Sequence, residues 1–159
     1  MSNLTMTATR AQGFQPLHLL EAAFGLLNRV PLWLLQLMFR VAVGAVFFKS
    51  GLTKIASWDA TLALFANEYN VPLLPPEIAA PLAATVELTA PVLLVFGIGA
   101  GVGAAALIGM TLVIQLFVYP ENWAEHLTWV SLAGLILVRG PGIVSLDHLL
   151  ARRFFRGGN

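Results

Sequence analysis

Cysteine is absent from all 159 residues, which excludes disulfides, thiol nucleophiles and thiolate metal sites. Charge is scarce as well. Asp, Glu, Lys and Arg make up 11% of the chain and leave a net charge of +1, where a globular domain carries roughly 25% charged residues. Such a balance provides no basic surface for nucleic acid and no strong field for an acidic substrate. No Ser-His-Asp grouping, phosphate loop or dinucleotide fingerprint is present. The glycine-rich stretch from Gly97 to Gly103 lacks the preceding strand and the following acidic residue that a nucleotide site requires. His18, His126 and His148 have no ligand-like spacing, so neither a metal nor a haem site is expected. Any redox role would rest on a bound cofactor or a partner protein.

What the chain has in excess is apolar surface. Its hydrophobic fraction is 58%, more than a single soluble core of this length can hide. The sequence therefore predicts an all-α integral membrane protein built as a four-helix bundle, with the lipid bilayer as its first partner. Four spans fit, at about 31–51, 78–97, 101–119 and 125–139, each near the ~20 residues that a bilayer demands. The second and third are parted only by Gly97-Ile98-Gly99-Ala100-Gly101, which reads as a tight turn. With four spans both termini share a side, and that side holds Arg10, Arg29, Arg139, Arg152, Arg153 and Arg156. The other side has Lys49 and Lys54. The positive-inside rule then places both termini in the cytoplasm. The first 16 residues are polar and lack an apolar core with a small-residue cleavage site, so no cleavable signal is expected.

Three further segments are expected to be ordered helices. In the cytoplasmic tail 1–30, Leu17, Leu20, Phe24 and Leu27 recur at helical spacing, which predicts an interfacial helix over 17–29. Trp58, Leu62, Phe65 and Tyr69 repeat the pattern on the outer side, with Ser57 as the expected N-cap. After Gly140-Pro141-Gly142, Ser145 is expected to cap a C-terminal amphipathic helix within 140–159, its arginines near its end.

Arg40 and Glu87 carry the strongest functional signal, since each stands in the middle of an apolar run. A lone charge at bilayer depth is costly and usually faces the bundle interior with a partner. Counted from Pro31, Arg40 lies about 13 Å into the first span. Counted from Gly97, Glu87 lies about 15 Å into the second. Matched depth on consecutive antiparallel helices predicts a buried Arg40–Glu87 ion pair, serving either as a structural tie or as part of a ligand or proton site. Gly44, Phe47, Gly51 and Lys54 share the Arg40 face, and the glycines there allow a neighbouring backbone or a flat ligand to come close. Gln115 and His126 each lie about 21 Å from the inner ends of their spans, so a hydrogen bond between them is expected near the outer face. Trp129 and Trp123 flank His126. That cluster reads either as a pocket for an aromatic ligand such as a quinone or as an ordinary aromatic belt.

The run Arg40-Val-Ala-Val-Gly44, Phe47-Phe48-Lys49-Ser50-Gly51-Leu52-Thr53-Lys54, Glu87 followed by Pro91-Val-Leu-Leu-Val-Phe-Gly97, and Gly140-Pro141-Gly142-Ile-Val-Ser145-Leu146-Asp147 together resemble the DoxX family of small bacterial membrane proteins. The resemblance implies four helices in the inner membrane and a role in redox or oxidative-stress physiology, with a redox partner protein and a quinone as its expected associates. A non-catalytic anchor or assembly factor is the alternative, and a small transporter or proton carrier a third. The sequence leaves a homo-oligomer open.

Overall fold

The computed structural model describes residues 15–69, 71–72 and 74–155, and all regular structure among them is helical. The tail 1–14 with Arg10, and residues 156–159 with Arg156, lie outside the described residues, as do the side chains of Leu17 and Phe154. The chain divides into two compact units, Met1–Pro31 and Leu32–Asn159. The first contains α1 (Gln15–Leu27), an exposed helix that carries Leu20, Phe24 and Leu27 on its surface. The remainder of the fold belongs to the second unit.

Helix α2 (Leu32–Ala56) is 25 residues long and runs five residues past its expected end. Only Ser57 separates it from α3 (Trp58–Leu64), whose last turn widens into a π-helical turn over Phe65–Tyr69. With so short a joint the Ser57 side chain makes no cap bond, contrary to expectation. Thr61 does the fastening, its N–H donating to the Ser57 carbonyl (3.0 Å) and its hydroxyl to the Lys54 carbonyl (3.0 Å). Helix α4 (Pro76–Phe96) opens on a proline, whose missing N–H costs nothing at the first helical position.

The α4 end follows from its glycines. Gly97 and Gly99 both sit in the left-handed region, at φ 67° and 57°, and the Ile98 N–H returns 3.0 Å to the Leu93 carbonyl. This is the hydrogen-bonded helix stop that glycine favours. Helix α5 (Ala100–Val113) then runs back and ends in a second π-helical turn, Ile114–Val118. A 3-10 turn at Pro120–Asn122 leads into α6 (Trp123–Arg139). Helix α7 (Leu146–Phe155) closes the described chain, with Ser145 Oγ accepting the His148 N–H at 3.2 Å as its N-cap.

Helix α2 packs on α4, α4 on α5, α5 on α6, and α6 returns to α2. Their shared core is Val43 and Phe47, Ala90 and Leu94, Ala100, Ala104 and Leu107, Ala133 and Ile136. Alanine dominates because helices in lipid associate by close packing, which small side chains permit. The outward faces are apolar too. Val138 is 79% exposed and Val102 70%, and such faces suit lipid rather than water.

Three helical stretches, Leu32–Ala56, Pro76–Phe96 and Ala100–Val118, are long and apolar enough to cross a membrane. The expected fourth span corresponds to α6, which has 17 residues. That gives about 26 Å of helix against a hydrocarbon core of roughly 30 Å.

Candidate functional site

Contacts between α2 and α4 establish their register. A Cβ on Gly44 would lie 2.8 Å from Val95, and one on Gly51 2.8 Å from Leu88 and 3.1 Å from Glu87. At both places the α4 side chains pack directly on the α2 backbone. Arg40 comes level with Gly97, where a Cβ would stand 2.7 Å from Nη1 of Arg40. The expected Arg40–Glu87 pair is therefore not formed. Glu87 lies ten residues up α4 from Gly97, about 15 Å along the axis from Arg40. Depth counting set Pro31 level with Gly97, whereas it is Arg40 that lies there. The first turns of α2 project past the end of α4.

Each charge has a different partner. Arg40 is 1% exposed and donates through Nη2 to the Val144 carbonyl at 2.5 Å, while Nε and Nη1 find no hydrogen-bond acceptor among the described residues. It belongs to a polar end in which the 140–147 loop folds across the helix termini. Gln36 donates to the Gly140 carbonyl (3.1 Å), and the Asp147 N–H donates to the Gly97 carbonyl (2.7 Å). The Asp147 carboxylate accepts the N–H groups of Gly99 (2.8 Å) and Ala100 (3.1 Å). An acidic side chain at the start of α5 satisfies orphan donors and suits the helix dipole.

Glu87 pairs with Lys54. Lys54 Nζ stands 2.9 Å from Oε1 and 2.8 Å from Oε2 of Glu87, and 3.0 Å from Ser50 Oγ. Ser50 in turn donates to Oε1 at 3.3 Å. Ser50 and Lys54 are one helical turn apart on α2, so both reach the same carboxylate. Only the Oε1 contact has hydrogen-bond geometry, so among the described residues Oε2 has the Lys54 charge at 2.8 Å and no hydrogen bond.

This trio borders a cavity of about 410 Å³. Helix α6 contributes His126 and Trp129 to its wall, α5 contributes Met110 and Val113, and α4 contributes Ala83 and Val86. His126 is 3% exposed, and its Nδ1 lies 2.6 Å from Gln115 Oε1. Gln115 also donates from Nε2 to the Pro120 carbonyl at 2.7 Å. Both π-helical turns border the same space, through Phe65 and Tyr69 on one and Ile114 and Val118 on the other. Such turns recur at functional sites because they re-aim side chains out of the helical series. They are joined at the rim, where Tyr119 donates to Glu68 Oε1 (2.7 Å) and its ring meets that of Tyr69 edge-on at 5.7 Å. The bond to Glu68, aided by burial, pushes the Tyr119 hydroxyl pKa upward.

Of the residues singled out in the sequence, Lys54, Glu87, His126 and Trp129 meet at this cavity, with Gln115 holding His126 in place. Phe47 packs edge-on to Trp129 at 5.2 Å, one layer inside it. Gly44 and Gly51 lie against α4, and Arg40 is at the opposite end. The sequence reading missed Ser50, Phe65, Tyr69 and Tyr119. Ser50 was detectable from its i, i+4 spacing to Lys54. The others depend on how α3 lies against the ends of α4 and α5, which periodicity does not show.

The DoxX family profile matches residues 35–120, just over half of the chain. The chain belongs to the DoxX family. The matched stretch takes in α2 from Leu35 onward, α3, α4 and α5, and every cavity residue on them. His126 and Trp129, contributed by α6, lie beyond it in this DoxX protein. No curated protein and no solved structure matches the chain significantly.

Proposed function

We propose that this DoxX-family membrane protein binds a lipid-soluble small molecule of the quinone class in the cavity bordered by Lys54, Glu87 and His126. It serves in that capacity as the membrane subunit of a redox or oxidative-stress system. The observation that carries the reading is the cavity itself. Its volume of about 410 Å³ falls in the range of small-molecule sites, which are mostly apolar with a few convergent polar groups. Leu74, Leu82 and Val113 line it and are also exposed on the outer surface, so only a thin apolar wall parts the space from the lipid phase. A molecule dissolved in the bilayer has a short way in.

The membrane arrangement proposed with it has four spans in the bacterial inner membrane, α6 included, and both termini in the cytoplasm. The cavity then opens near the periplasmic face, with α3 lying along it. Arg139, Arg152 and Arg153 against Lys49 and Lys54 support that orientation by charge. Accessibility labelling of single cysteines, one placed at the exposed Asn67 and one at Arg152, tests it. Asn67 should react from the periplasm and Arg152 only after permeabilisation.

Mass spectrometry of gently solubilised protein is the direct test of function. A near-stoichiometric quinone-class molecule, lost when Trp129 or His126 is replaced by Ala, is the expected result. A bare protein with a reproducible co-purifying chain would instead favour the anchor or assembly-factor reading.

A further inference from the structure

Resting on the reading of the cavity as a site for the quinone class, we infer that it selects the reduced, hydroxyl-bearing form, an apolar molecule with a phenol-type hydroxyl that donates a hydrogen bond, over the oxidised form with carbonyl oxygens alone, and that Gln115 sets this polarity. The Gln115 amide nitrogen is committed to the Pro120 carbonyl at 2.7 Å, so its Oε1 is the atom that faces His126 Nδ1 at 2.6 Å. A carbonyl oxygen only accepts, hence Nδ1 carries the proton, and the Nε2 of a neutral imidazole is left as an acceptor. Nε2 has no hydrogen bond to any described residue.

The other buried pole is closed on itself. Glu87 is 3% exposed, and its Oε2 presents almost no surface to the cavity. Lys54 Nζ stands 2.9 Å from Oε1, 2.8 Å from Oε2 and 3.0 Å from Ser50 Oγ, three oxygens for its three N–H groups, and the Ser50 hydroxyl donates to Oε1. At the rim Tyr119 donates to Glu68, and of the other polar lining residues Asn122 and Glu125 are exposed and Tyr69 is half-buried. The deep polar atom left open is thus one acceptor, His126 Nε2. A hydroxyl can donate to it. An ether or carbonyl oxygen in the same position meets its lone pair and leaves both sides unpaired, a mismatch that buried polar sites reject strongly.

The test compares 4-heptylphenol with its methyl ether on the full-length protein in lipid nanodiscs, each affinity corrected for partition into the lipid. The phenol should bind at least about tenfold more tightly, and Gln115→Leu, which frees the imidazole tautomer, should narrow that gap. Equal binding, or preference for the ether, would overturn the inference while leaving the cavity a binding site. Failure of both compounds to bind would remove the binding site as well. A second readout is taken on the wild type. Imidazole nitrogen NMR of the wild type, with the His126 signal recognised by its loss in His126→Gln, should show the Nδ1–H tautomer. An Nε2–H or doubly protonated ring would refute the inference.

Discussion

The two ends of the α2–α4 pair treat a buried charge in opposite ways. At one end Arg40 and Asp147 are engaged with backbone: a guanidinium donates to the Val144 carbonyl, and a carboxylate accepts the first amides of α5. At the other, Lys54 and Glu87 are engaged with each other beside a cavity. Charges bound to main chain fasten a loop, because they satisfy groups that a helix end leaves open. Charges bound to each other across two helices leave the backbone free and close a polar wall, as Lys54 does on both Glu87 oxygens beside the cavity. The first arrangement builds a closure, and the second builds a place where a ligand can be recognised.

Breaking the ion pair is expected to have the largest effect. Lys54→Met leaves Glu87 as an uncompensated buried charge, with an expected loss of about 3–5 kcal/mol. The double variant Lys54→Met with Glu87→Leu should recover most of that loss, because removing both partners removes the desolvation penalty. Reversible unfolding in mixed micelles measures each. Next in size, Arg40→Met should cost about 1.5–3 kcal/mol, as for a hydrogen bond to a charged group. Hydrogen exchange should place that loss at residues 140–147 and leave the amides around His126 unchanged. A cycle between Arg40→Met and Glu87→Gln should be additive to within about 0.5 kcal/mol, since the two residues are about 15 Å apart. Strong coupling would revive the pairing suggested by depth alone. The smallest effect belongs to Tyr119→Phe. Loss of its bond to Glu68 should cost about 0.5–1.5 kcal/mol, read as faster exchange in the Phe65–Tyr69 turn with global stability nearly unchanged.

That cycle also marks where the sequence reading failed. Arg40 and Glu87 were recognisable as buried from their solitary place in apolar runs, and both are buried. Their pairing was inferred from equal distance to assumed membrane edges. It failed because the start of α2 packs beside the 140–147 loop, to which Gln36 is bonded, rather than level with the end of α4. Lys54 had been noted on the Arg40 face, yet its partnership with Glu87 requires α2 to continue as helix to Ala56. No signal in the local sequence sets that length.

By itself the amino-acid order determined the elements whose causes are local. Apolar runs of spanning length became long helices, the Gly97–Gly101 stretch became a turn through left-handed glycines, and Ser145 became a cap. Each depends on neighbours within a few residues. Tertiary structure alone decided the register of α2 on α4, and with it the partner of every buried charge. Tertiary structure also brought two π-helical turns from distant segments to one cavity rim. A residue's depth in a span limits its possible partners, but side-chain packing, with α4 side chains lying on the backbone of Gly44 and Gly51, selects among them.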